Sequence, residues 1–198
     1  MEELGELRGA RALPWASVAF PRTGKIAPGD LREFESVYQA CLPIVLRYML
    51  ARVRDPVLAE DLTGDVFERA VRAWPTFEHR SAPATWILSI AHHVVSHHWR
   101  QARTQPVQLE DRVWGHLNDD GLTPEDEVQR RVEVETLHRT VAELPAKEQE
   151  LLALRFAADL PFRDIAIVLG VREVTVRVRM HRAMRRLERL LRAVEERP

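Results

Sequence analysis

The sequence predicts an all-α protein made of two small helical domains joined by an acidic flexible linker, the second domain ending in a helix-turn-helix. Three observations carry this. Apolar residues recur at intervals of three and four over several segments, the spacing of one face of a helix. That periodicity stops between about 103 and 122, where Glu110, Asp111, Asp119 and Asp120 accumulate, and resumes after Thr123. Near the C-terminus, a short apolar segment ends at Gly170-Val171 and a long periodic segment follows. A length of 198 residues suits one ordinary domain or two small ones, and 45% hydrophobic with 30% charged residues describes a chain that folds.

Residues 1–30 carry Gly5, Gly9, Pro14, Pro21, Gly24, Pro28 and Gly29 without sustained periodicity, and read as a flexible leader with room for a short docking segment around Trp15 and Phe20. The first domain spans 31–102. In its first helix Leu31, Phe34, Val37, Tyr38, Cys41, Ile44, Val45 and Tyr48 share a face, and Pro43 is expected to kink or divide it. Asp55-Pro56 supplies an N-cap acceptor followed by proline at the first helical position. The helix it starts runs to Trp74, with Leu58, Leu62, Val66, Phe67, Ala70, Val71 and Trp74 inward and Glu60, Asp61, Asp65 and Glu68 on the other side. Pro75 ends it. A loop with Phe77, Glu78, His79 and Arg80 leads to a third helix over about 84–102, with Trp86, Ile87, Ile90, Ala91, Val94 and Val95 inward and Ser89, His92, His93, Ser96, His97 and Arg100 outward.

The linker is assigned to 103–122 and the second domain to 123–198. Thr123-Pro124-Glu125-Asp126 is a capped start for a helix to about Leu144, and Leu144-Pro145 punctuates it. Leu151, Leu152, Leu154 and Phe156 belong to the next helix, and Ile165, Ala166 and Leu169 to a short one ending at Gly170. The last segment holds a conflict. Val174, Val176, Val178 and Met180 alternate with polar residues as in a half-buried strand, but Val176, Met180, Ala183, Leu187 and Leu190 step by four, three, four and three. The longer period makes it a helix, and it turns Val174 and Val178 outward.

Composition excludes several classes. One cysteine, Cys41, rules out a disulfide framework and a cysteine-based zinc site, and fits a reducing cytoplasm. No apolar run approaches the ~20 residues of a membrane span, and Met1-Glu2-Glu3 does not open a secretory signal, so a cytoplasmic location is expected. The formal net charge is −1, so a nucleic-acid partner requires positive charge concentrated locally. It is concentrated: between Val171 and Arg189 seven arginines stand against Glu173 and Glu188, a local charge of +5. Alone, such a run reads as a solvated charged helix. Behind a helix-turn, it reads as a helix that neutralises phosphates and places its first residues in a major groove, where Val174 and Val178 suit a thymine methyl.

The segment Leu144-Pro145-Ala146-Lys147-Glu148-Gln149-Glu150-Leu151-Leu152-Ala153-Leu154-Arg155-Phe156, followed by Phe162 to Val171 and Thr175 to Ala183, resembles the C-terminal promoter-binding domain of bacterial extracytoplasmic function (ECF) sigma factors. Ala59 to Ala70 and Trp86 to Ala91 resemble that family's N-terminal domain, in the right order and separation. The resemblance covers about 31–192. It implies a non-enzymatic subunit, without metal or cofactor, that binds core RNA polymerase through the β′ clamp helices and β flap, recognises promoter DNA and helps open it. It also implies that the linker passes near the RNA path and admits an anti-sigma factor as a further partner.

Site roles follow from the same resemblance. Glu60, Asp61, Asp65 and Glu68 match the polymerase-binding face, although a solvated helix face accounts for Glu60 and Glu68 equally well. Phe77, His79, Arg80, His92, His93, Ser96, His97 and Arg100 match the element that captures unpaired bases of the downstream promoter element. Arg172, Glu173, Thr175, Arg177 and Arg179 match the helix that reads the upstream element, with Arg155, Arg163 and Arg182 as phosphate contacts or structural pairs. The sequence departs from the family at Gly64, where glutamine is usual, at His92, His93, Ser96 and His97, and at Pro161, Val174 and Val178. His93 and His97 are spaced i and i+4, and with His92, His98 and Glu78 they raise a metal site. No HExxH glutamate or cysteine accompanies them, so DNA-facing or solvent-facing imidazoles are expected instead. The competing function is a stand-alone helix-turn-helix transcriptional regulator, in which the acidic helix and aromatic loop have no required place.

Overall fold

The computed structural model describes residues 31–102 and 124–195, so the leader 1–30, the linker 103–122, the cap at Thr123 and the last three residues lie outside the described residues. Every regular element among the described residues is helical: α1 (Leu31–Val53), α2 (Pro56–Ala73), α3 (Pro83–Ala102), α4 (Pro124–Ala142), α5 (Ala146–Leu152), α6 (Phe162–Leu169) and α7 (Glu173–Glu195). A 3₁₀ turn at Trp74–Thr76 closes α2, and a π-helical turn at Ala153–Ala157 continues α5.

The first unit is a three-helix bundle, α1 to α3. Cys41, Val45, Tyr48 and Met49 of α1, Ala59, Val66 and Ala70 of α2, and Ile87, Leu88, Ala91 and Val95 of α3 form its buried centre. Pro43 does not divide α1, which runs unbroken to Val53. Pro43 is on the exposed side, where water can satisfy the carbonyl that its missing N–H leaves free. Asp55 caps α2 as expected, its Oδ1 accepting from the backbone N–H of Val57 at 2.9 Å and Leu58 at 3.2 Å.

The second unit places α5, α6 and α7 around Leu151, Leu154, Ile165 and Val176. Strand-like alternation loses to helical periodicity in α7: Val176, Met180, Ala183 and Leu187 are buried, while Val174 and Val178 are 61% and 46% exposed. Phe156 departs from the expected apolar face. The π-helical turn adds a residue to the local repeat and rotates Phe156 outward, leaving it 63% exposed. The two units are in contact: α6 packs along α3 and the π-helical turn along α1, so their buried residues form a continuous core.

Candidate nucleic-acid and protein interfaces

On α2, Leu62, Val66 and Phe67 face the core, and the helical period therefore turns Glu60, Asp61, Asp65 and Glu68 to solvent. Glu68 pairs with Arg72 one turn later at 2.5 Å. Asp61 and Asp65 form no ion pair among the described residues, so this face offers uncompensated negative charge. Gly64 lies on the same face, and a Cβ built there meets nothing within 4 Å.

The loop after α2 is organised by stacked rings. Phe77 stacks on Trp74 at 5.3 Å and on Trp86 at 4.7 Å between centroids. It is only 7% exposed. Phe77 was expected to receive an unpaired base, but the pocket formed by Trp74 and Trp86 buries it, and it acts as the floor of the loop. His79 lies over it at 4.5 Å, is exposed, and holds a left-handed backbone (φ 53°). Arg80 is exposed and pairs with Glu78 at 2.7 Å. Along α3, His93, His97 and Arg100 are exposed and Ser96 is half-buried. His92, expected outward, is half-buried, with Nδ1 3.1 Å from Glu150 Oε1. His98 lies edge-on to Trp99. Among the described residues no three His, Cys, Asp or Glu side chains are arranged to hold a metal.

The helix-turn-helix is built as its sequence dictates. Gly170 takes the left-handed conformation (φ 63°, ψ 34°) that ends α6, and the N–H of Val171 returns to the Ala166 carbonyl at 3.0 Å. Because Val176, Met180 and Ala183 face the core, Arg172, Arg177, Arg179 and Arg182 are exposed with Val174 and Val178, and Thr175 is half-exposed. Arg177 is pre-positioned. Its Nε and Nη2 both donate to Glu173 Oε1, at 3.0 and 2.5 Å, and its Cζ lies 5.0 Å from the centre of the Phe162 ring. Arg155 and Arg186 are instead engaged structurally, with the Leu160 carbonyl and Glu148 respectively, each at 3.0 Å.

A buried polar cluster escaped the sequence reading. Glu150 of α5 is 5% exposed, and its carboxylate accepts from the Tyr48 hydroxyl at 2.5 Å and from His92. Arg52 Nε lies 2.9 Å away as an ion pair, although its N–H is not aimed at the carboxylate. Burial alone pushes the Glu150 carboxyl upward, but the His92 hydrogen bond and the Arg52 charge outweigh it and hold the group below its ordinary value. Burial and the neighbouring carboxylate drive the Tyr48 hydroxyl well above the usual range. A signal did exist: Glu150 lies four residues before Leu154 and beside Leu151, on an otherwise apolar face.

Residues 37–105 match the sigma-70 region 2 family model, and residues 135–187 match the sigma-70 region 4 model. The probable RNA polymerase sigma-C factor of Mycobacterium bovis is 36% identical over 157 residues, covering 79% of this chain and 82% of that protein. The chain belongs to the ECF RNA polymerase sigma factor family. BldN, an ECF sigma factor of Streptomyces coelicolor, is 30% identical over 164 residues, which span 82% of this chain and 62% of BldN. Among solved structures, the sigma factor RpoE, crystallised with the anti-sigma factor NepR from Bartonella quintana, shares the fold. It has a TM-score of 0.65 at 22% identity and covers 81% of this chain and 98% of that one. Sigma factors are transcription initiation factors that bind core RNA polymerase and promoter DNA. In this ECF chain region 2 corresponds to α1–α3, and region 4 contains the helix-turn-helix.

Proposed function

We propose that this sigma factor docks on core polymerase chiefly through Asp61 and Asp65, with Glu60 and Glu68 flanking them, and on the β′ clamp helices in particular. An uncompensated acidic helix face complements a basic partner helix. The second unit docks on the β flap. Arg172, Glu173, Thr175, Arg177 and Arg179 read the upstream promoter element from the N-terminal half of α7, and Arg182 holds a phosphate. His79, Arg80, His93, Ser96, His97 and Arg100, with His92 once it is uncovered, act on the unpaired downstream element. The protein works in the cytoplasm without a cofactor or metal and catalyses no reaction itself. An anti-sigma protein is its proposed inhibitory partner, by analogy with the RpoE–NepR complex.

The observation that carries this reading is α7. Its core side is filled by Val176, Met180 and Ala183, while cationic and apolar side chains stand exposed together at its N-terminal half, as base-edge and phosphate contacts require. The test mixes the purified chain with bacterial core RNA polymerase, follows co-elution, and assays initiation on DNA from upstream of its own operon. Co-elution with initiation is the expected result. DNA binding without polymerase binding would instead support a stand-alone regulator.

A further inference from the structure

Phe162 and Arg177 meet across the turn of the helix-turn-helix. Phe162 is the first residue of α6, and Arg177 lies in the second turn of α7. The ring is pinned independently of Arg177: it is half-buried against the core, and the guanidinium of Arg155, itself held by the Leu160 carbonyl at 3.0 Å, lies 5.6 Å from its centre. The Arg177 guanidinium lies 5.0 Å from the same centre. Glu173, one turn earlier on α7, accepts from its Nε and Nη2 through a single oxygen, Oε1, at 3.0 and 2.5 Å. The two contacts come from different helices, and together they fix where the guanidinium sits and which edge it turns outward. The Nε–Nη2 edge is taken. The Nη1–Nη2 end of the fork makes no hydrogen bond among the described residues, and 60% of the side chain is exposed.

We propose that Phe162 and Glu173 are positioning residues that present the free end of the Arg177 guanidinium to a guanine of the upstream promoter element. The inference rests on the promoter-reading role assigned to α7, and it adds the base that is read and the groups that act through Arg177. Its physical basis is geometry. Guanine offers O6 and N7 side by side in the major groove, and the paired N–H groups at the end of a guanidinium match them. Adenine has a donor in place of O6, and neither pyrimidine offers two acceptors. A mobile arginine satisfies itself on any nearby acceptor, a phosphate oxygen included, and discriminates little. Holding it beforehand moves the loss of its rotamer freedom from binding to folding and withdraws the alternative partners. Glu173 adds a second effect. Its carboxylate offsets the charge of the arginine, so attraction to phosphate contributes less at this position and the base contact more. Glu173 thus takes part in the readout through Arg177.

The test uses the full chain in complex with core polymerase. Equilibrium binding is measured to its promoter fragment and to fragments in which each position of the upstream element carries another base or, at guanines, a deazaguanine with carbon in place of N7. Discrimination is the ratio of affinities for the parental and the substituted fragment. The position read by Arg177 is the one at which Arg177→Ala abolishes discrimination, and the expected result is a guanine that is sensitive to loss of N7. Phe162→Leu keeps apolar bulk but removes the ring face, and should lower discrimination at that position alone by roughly two- to fivefold. Glu173→Gln should lower it as well, and Phe162→Tyr, which keeps the ring, should retain the parental ratio. In the Arg177→Ala background Phe162→Leu should have no further effect at that position. A merely structural role would instead weaken binding to all fragments alike, with or without Arg177. That outcome, or a position that is not a guanine, would overturn the proposal. If circular dichroism shows that Phe162→Leu loses helix, Glu173→Gln decides on the same ratio in both backgrounds. If Arg177→Ala leaves discrimination unchanged at every position, the promoter-reading role of Arg177 fails and this inference with it. If Arg177→Ala abolishes discrimination while Phe162→Leu and Glu173→Gln keep the parental ratio, the positioning inference alone fails.

Discussion

Arg177→Ala separates recognition from folding, because the structure sets the size of each effect. In the free protein Arg177 is bound to Glu173 in an exposed i,i+4 pair and lies over the Phe162 ring. Such a pair contributes about 0.3–0.5 kcal/mol, and an exposed cation–π contact about 0.5–1 kcal/mol. Truncation should therefore cost no more than about 1.5 kcal/mol of stability and leave the fold intact. A side chain that reads a base loses about 1–3 kcal/mol of binding on truncation, or roughly 5-fold to 150-fold. The assay is equilibrium binding of the polymerase complex to its promoter fragment at several salt concentrations, with urea unfolding of the free chain in parallel. The expected outcome is weaker binding with relaxed preference at one base position. A loss that is uniform across sequences, with the salt slope reduced by about one, would show a phosphate contact instead. Unchanged affinity would refute the placement of this helix on DNA.

Asp61→Arg should weaken co-elution with core polymerase at least tenfold while leaving the melting temperature unchanged, since Asp61 is exposed and has no ion pair among the described residues to lose. Gly64→Ala should stabilise the chain by about 0.5–1 kcal/mol in urea unfolding, because its helical site has room for a Cβ and glycine is costly inside a helix. Cys41, whose thiol burial raises to about 12, should resist thiolate-directed alkylation at pH 8 until denaturant is added, as mass spectrometry would show. Acid should open the contact between the units. A carboxyl held below its ordinary value contributes stability that is whole above that value, near 4.5 for Glu150, and is lost as pH falls through the folded one. Energy transfer between fluorophores at the exposed positions Gln39→Cys and Ala193→Cys, one on each unit, should therefore change below about pH 4.5, and in Glu150→Gln that step should disappear.

Helix positions were legible because burial of one face imposes a period of 3.6 on the residues themselves. The period decided α7 correctly even where Val174 to Met180 alternate like a strand, since a longer window samples more turns. Single residues were harder to place. Phe77 looked like a loop aromatic, but Trp74 precedes it by three residues and Trp86 follows by nine, and only the folded chain brings both rings onto it. Phe156 has the right spacing for the core and the wrong orientation, because a π-helical turn changes the period locally. His92 has an outward position within its own helix and is covered by another unit. The errors at Phe77 and His92 concern contacts between elements, about which the periodicity of one element says nothing.

Glu150 shows why the contact between the units was the least visible feature. Composition assigns charged residues to the surface, and a formal charge of −1 for the chain hides the local separation that matters. The acidic face of α2 and the basic half of α7 lie in water, where charges farther apart than about 8 Å are largely screened at physiological salt. Glu150 and Arg52 are shielded from that water, each with 7% of its side chain exposed. Ionic strength therefore acts on the two faces proposed to meet polymerase and DNA, and hardly on the contact that holds the units together. The same chain thus carries exposed charges that salt can screen and a buried pair between its units that salt hardly reaches.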